Sequence, residues 1–261
     1  MIIAFILLGI CSGFIGGLLG IGGGVITVPG LYYLLQHYGY GGEHLMQTAI
    51  STSLASTCFT ALGSSMVHWK RKAIVPSILK LLFPGLLFGT ALGATLAYFL
   101  PTESLRIVFG LAALLLGPYF FFSRLPSLKI ASHPNRSLSY VAASVGTASS
   151  LLGVGGGIFT VPILLGYQVP MKNAIGTSSA ATLLTAVMGS VFFILLGWSN
   201  GTFSLDQLGY IDIPAWFSIG LCSLCTSPIG AKLSLVLPIP VIKKVFGSAL
   251  AATGFIMLFV G

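Results

Sequence analysis

The sequence predicts an all-α integral membrane fold: two inverted repeats of about five helical pieces each, with glycine-broken half-helices meeting near the membrane midplane. Three observations predict it. The 261 residues are 56% hydrophobic and 6% charged, whereas a soluble domain carries about a quarter charged residues. A twelve-residue glycine motif occurs twice, and the basic loops change places between its two copies.

The composition comes first, because it leaves no polar surface for a soluble domain. Apolar stretches fill nearly the whole chain, each long enough to span or half span the ~30 Å hydrocarbon layer. Met1 to Leu19 lack a basic leader and a small-residue cleavage site, and are read as retained membrane sequence. The net charge of +8 sits in short clusters between spans (Lys70, Arg71, Lys72; Arg124, Lys129, Arg136; Lys243, Lys244), the pattern of membrane topology and not of nucleic-acid binding. The four cysteines, Cys11, Cys58, Cys222 and Cys225, lie in apolar segments with no histidine at metal-site spacing. They read as buried thiols, and no cofactor or metal is expected.

The duplication sets the domain organisation. Leu18-Leu-Gly-Ile-Gly-Gly-Gly-Val-Ile-Thr-Val-Pro29 recurs as Leu151-Leu-Gly-Val-Gly-Gly-Gly-Ile-Phe-Thr-Val-Pro162, identical at nine of twelve positions. Downstream, Ala49-Ile-Ser-Thr-Ser53 matches Ala174-Ile-Gly-Thr-Ser178, and Phe109-Gly110 matches Phe246-Gly247. Residues 1–122 and 137–261 are therefore two repeats joined by a polar, cytoplasmic linker, 123–136. Each repeat opens with a glycine-interrupted segment (2–36 and 137–168), too long for one straight span of ~20 residues. Three ordinary spans follow, over about 45–69, 74–99 and 103–122, then 171–197, 210–236 and 239–260.

Orientation follows from charge. Lys70-Arg71-Lys72 follows the second span of copy one, but the matching loop of copy two holds Asp206 and Asp212. Lys243 and Lys244 fall where copy one has Glu103 and Arg106. That exchange is expected of copies inserted upside down to one another. Eight simple spans with parallel repeats remain the alternative. All four acidic residues, Glu43, Glu103, Asp206 and Asp212, fall in predicted loops, so no carboxylate is expected inside the membrane. Lys80 and Lys232 lie within spans and read as snorkelling side chains. His68, beside Trp69 and Lys70, reads as interfacial.

The glycine runs are poor helix, since each glycine costs ~1 kcal/mol against alanine. Thr27 with Pro29, and Thr160 with Pro162, look like the starts of new helices whose N-termini face the break. Free N–H groups and the helix dipole there attract anions, and glycine allows a close approach. Alternatively, the glycines are packing points between helices. Paired hydroxyls in Ser51-Thr52-Ser53 and Gly176-Thr177-Ser178-Ser179 either donate to an oxyanion or bond their own helix.

The doubled motif, the Thr-Ser pairs and the length resemble the sulfite exporter TauE/SafE family, bacterial-type permeases also called DUF81. The resemblance covers the whole chain. It implies a multi-pass protein of a plasma or bacterial inner membrane that moves sulfite, sulfoacetate or a related sulfur-containing anion. Carried onto this chain, the implied substrate-binding residues are Gly22, Gly23, Gly24, Thr27, Thr52 and Ser53 from one copy. Gly155, Gly156, Gly157, Thr160, Thr177 and Ser178 come from the other. The expected partners are a small anion and the lipid bilayer, with a homodimer compatible and no nucleic acid. The reading is a secondary transporter working by alternating access; an anion channel of the same architecture is the alternative. An intramembrane enzyme built on the cysteines lacks any accompanying acid, base or metal set.

Overall fold

The structure, a computed structural model, describes residues 1–39, 44–122, 136–199, 203–204, 206–234 and 236–259. The predicted linker over 123–136, Arg136 excepted, and Glu43 lie outside them. Ten helices fill the described chain. The first repeat contains α1 (Ile2–Leu19), α2 (Gly24–His37), α3 (Leu45–Lys70), α4 (Pro76–Phe99) and α5 (Thr102–Phe122). The second contains α6 (Ser137–Leu152), α7 (Gly157–Gly166), α8 (Met171–Ser199), α9 (Ile213–Leu233) and α10 (Ile239–Phe259). Helices α4, α5, α8 and α9 are long and apolar enough to cross a membrane. Their outward residues are large and apolar, Phe88, Phe99, Leu115, Phe122 and Leu195 among them, as a lipid-facing surface requires.

One stretch departs from the all-helical expectation. The last span but one begins at Ile213 and not near residue 210, because a small antiparallel sheet precedes it. Its strands are β1 (Phe203–Ser204), β2 (Gln207–Leu208) and β3 (Ile211–Asp212). The tight turn at Gly209, with φ of 60°, lets β3 pair with β2. Asp212 then caps α9, its Oδ1 accepting from the Ala215 N–H at 2.8 Å.

Close helix contacts fix the sense in which each helix runs. Gly23 lies against Ser12 and Gly30 against Leu8, so α2 folds back along α1. Gly9, Gly13 and Gly17 pack on Ile219, Ser223 and Ser227, so α1 and α9 run parallel. Gly85, Gly89 and Gly93 pack in the same way on Ser139, Ala143 and Thr147, so α4 and α6 are parallel too. Helices α3 and α8 are antiparallel, since Ser64 meets Ser179 while Leu54 meets Gly189. Helices α5 and α10 are also antiparallel, with Gly110 beside Leu258 and Gly117 beside Ala251. Small residues at these crossings let backbones approach closely, the usual means of joining helices in lipid.

The pairing is reciprocal: the first helix of each repeat packs on the fourth helix of the other. Following the senses through the bundle brings Lys70, Arg71, Lys72, Lys80, Arg136, Lys172, Lys232 and Lys244 to one end. Glu103, Asp206 and Asp212 lie at the other, where Arg106 is the basic residue among the described ones. Arg106 pairs there with Glu103 at 2.9 Å.

Candidate functional site

Both glycine runs break their helices as expected. The first break runs from Gly20, which closes α1 in the left-handed region (φ 69°), to Gly23 (φ 80°), from which α2 starts. The second repeats this at Gly153 (φ 68°) and Gly156 (φ 81°). Four left-handed residues in matching places are what glycine supplies at least cost. The helices restart at the last glycine of each motif, earlier than expected from Thr-x-Pro. Thr27 and Thr160 therefore do not cap. Their hydroxyls lie one turn inside and donate back to the carbonyls of Gly23 (3.1 Å) and Gly156 (2.9 Å). Pro29 and Pro162 fall in the second turn.

The two breaks meet. A Cβ on Gly24 would strike Gly153 and Val154, and one on Gly157 would strike Gly20 and Ile21. Gly22 and Gly155 both lie against the methyl groups of Thr57 and Thr182, one from each of α3 and α8. The backbone N–H groups of Gly24 and Val25, and of Gly157 and Ile158, find no hydrogen-bond partner among the described residues. Two helix N-termini thus come together, each with unspent donors and a positive dipole end.

Hydroxyls from α3 and α8 brace the joint. Thr57 donates to the Gly22 carbonyl at 2.8 Å and Thr182 to the Gly20 carbonyl at 3.3 Å. Ser53 reaches across to Gly153 at 3.0 Å, and Ser178 contacts the Gly157 carbonyl at 3.4 Å. Thr52 and Thr177, in contrast, leave the site. Thr52 accepts from the Asp212 N–H and Thr177 from the Val75 N–H, both at 3.0 Å, and so each anchors the start of a helix in the opposite repeat. Of the expected residues, ten gather at the breaks, all buried, and these two support α9 and α4 from a distance. Thr57 and Thr182 were not anticipated. Their signal was available, since each lies four residues beyond the Ser of its Thr-Ser pair and so on the same helix face.

Beside the first break, Gly16, Ile21, Gly23, Val25 and Phe246 border a void of about 10 Å³, room for about one water. A larger cavity of about 410 Å³ opens at the acidic end, among His44, Gln47, Tyr98, Thr102 and Glu103. The Gln47 amide donates to the Leu100 carbonyl at 2.8 Å there.

Other expectations fail too: Cys11 and Cys225, read as buried thiols, are exposed. Asp212, read as a loop residue, is fully buried, because the sheet carries it into the bundle and α9 uses it as a cap. His68, read as interfacial, is likewise fully buried, with neither ring nitrogen hydrogen-bonded. Trp69, its neighbour, does lie at the surface.

Comparison with known proteins identifies the family. The family described as Sulfite exporter TauE/SafE matches residues 5–257. The chain belongs to the TauE/SafE sulfite exporter family. A probable membrane transporter protein of Haemophilus influenzae is 33% identical over 250 residues, with 94% of this chain and 93% of that protein covered. Another probable membrane transporter protein, from Methanocaldococcus jannaschii, is 25% identical with 97% and 94% covered. A third, from Bacillus subtilis, is 26% identical with 99% of both chains covered. No solved structure matches. This TauE/SafE protein is a multi-pass membrane transporter.

Proposed function

We propose that this transporter moves a small sulfur-containing anion, such as sulfite or sulfoacetate, across a bacterial-type plasma membrane by alternating access between two inverted repeats. One observation carries the proposal: two helix N-termini with unpartnered N–H groups face one another in the middle of the bundle. Hydroxyls surround them, and no lysine or arginine among the described residues does. Such a cradle holds a tetrahedral or pyramidal oxyanion through backbone donors and dipoles while leaving it free to depart.

The opposite senses of α1 and α6, of α3 and α8, and of α5 and α10 support the inverted arrangement. The basic end faces the cytoplasm, as loops rich in lysine and arginine do. That places both chain ends outside, together with the cavity at His44 and Gln47. Direct backbone contact between the breaks favours a transporter that must reopen in each cycle over a permanently open channel.

The test is uptake into liposomes by purified protein, comparing sulfite, sulfoacetate and taurine. Saturable uptake of one of these, accelerated by the same anion on the far side, is the expected result. No uptake of any of the three rejects the cargo. Conductance without such counterflow rejects the mechanism.

A further inference from the structure

The two halves of the bundle are not chemically equal, and one inequality lies along the seam between α3 and α8. On α3, Ser53, Thr57, Ser64 and His68 fall on one face at intervals of four and seven residues. The matching positions on α8, 125 residues later (178 − 53), are Ser178, Thr182, Gly189 and Phe193. The first two pairs brace the breaks in both repeats. Beyond them the copies diverge.

Towards the basic end, Ser64 and Ser179 share a hydrogen bond at 3.2 Å, with His68 one turn further on. Ser179 also lies beside Gly20 of the first break. Towards the acidic end, the place of that hydroxyl pair is taken by Gly189 and Leu54, where a Cβ on the glycine would fall 2.9 Å from Leu54 Cδ1. Phe193 stands there in the place of His68. Both residues are fully buried, so burial alone does not separate them.

What separates them is unmet chemistry. Phe193 asks for nothing. The two ring nitrogens of His68 are buried without partners, and a buried polar group left so is costly. A neutral imidazole has one N–H to donate and one nitrogen to accept. Lys70, Arg71 and Lys72 follow within a turn and favour an anion nearby. The geometry points to His68, with Ser64 and Ser179, as the lining of the cytoplasmic half of the anion's route. The mirror-related half is closed by Leu54 and Phe193. This rests on the transport reading above and adds to it a second station and a direction in which the seam opens.

Cysteine accessibility tests the seam without assuming the cargo. In a background with Cys11, Cys58, Cys222 and Cys225 changed to Ser, the variants His68→Cys and Phe193→Cys are treated with a small anionic, sulfonate-bearing methanethiosulfonate. Right-side-out and inside-out vesicles are compared. The expected result is labelling of His68→Cys from the basic face about tenfold or more faster than Phe193→Cys from either face, since labelling of a buried site reports its opening. Equal labelling of the two overturns the proposal.

Sulfite uptake gives the second readout. His68→Phe, copying the other repeat, is expected to lose about tenfold in uptake, the scale of one hydrogen bond to a charged group. His68→Gln, which keeps a donor and an acceptor, stays within about twofold. Wild-type uptake by a properly inserted His68→Phe overturns the assignment. Selective labelling of His68→Cys in a protein that carries no sulfite removes the cargo and leaves the seam standing. Sulfite uptake with equal labelling does the reverse.

Discussion

The two helix breaks share a motif but differ in how tightly they are held. At the first, Gly16 and Gly17 of α1 bring backbone against backbone: Gly16 lies on Gly23, and Gly17 on Ser227. The matching positions of α6, 133 residues later (149 − 16), are Ser149 and Ser150, both buried with hydroxyls that find no partner. Gly23 is pressed on the Ser12 backbone, whereas a Cβ on Gly156 would meet first the Ser149 hydroxyl at 3.1 Å. One break is a fitted joint; the other keeps unspent polar groups close to the meeting point. The two motif copies share a backbone conformation in different surroundings.

The contrast can be broken most directly at Gly23. Gly23→Ala adds a left-handed strain of about 1–2 kcal/mol to an overpacking cost of about 1–3 kcal/mol against the Ser12 backbone. It is expected to give the largest fall in melting temperature and to abolish uptake. Gly156→Ala meets the same strain, about 1–2 kcal/mol, and a 3.1 Å contact with the Ser149 hydroxyl, a side-chain end that can shift where the Ser12 backbone cannot. Equal destabilisation by the two, in thermal unfolding of purified protein, would erase the distinction.

Smaller effects sharpen it. Thr57→Val removes a 2.8 Å bond to the first break and is expected to cost about 1 kcal/mol; Thr182→Val, with a 3.3 Å bond, costs less. The order of the two melting temperatures decides this. Ser149→Ala leaves the unliganded protein within about 0.5 kcal/mol of wild type, because no bond is lost, yet weakens substrate binding by about fivefold or more where the hydroxyl serves the anion. Undiminished affinity in that variant would assign the hydroxyl to packing alone. Asp212→Asn is the mildest change. Asn caps as well as Asp, so stability stays within a few tenths of a kcal/mol; a large loss of transport without loss of stability would show that the carboxylate charge itself is used.

The helical pieces and their breaks were readable in the residues because they are local matters. Glycine at four matching places demands a backbone that few other residues accept, and apolar length shows directly as spans. Thr52 and Thr177 were legible as a pair but not in their task. Where a hydroxyl points depends on which helix arrives opposite, and here each receives the start of a helix from the other repeat. Asp212 was misread for a similar reason. Acidic residues between spans usually meet water, and only a short sheet, formed by pairing across turns, carries this one inside.

The sequence by itself determined a membrane protein made of two related halves, each broken once by glycine, because composition, periodicity and backbone permissiveness act over a few residues. Only the tertiary structure decided that the breaks touch, that Ser64 finds Ser179 while Gly189 finds Leu54, and that His68 lies buried with its nitrogens unmatched. Those facts depend on close approaches between helices more than a hundred residues apart. No short stretch of chain contains the information to set them.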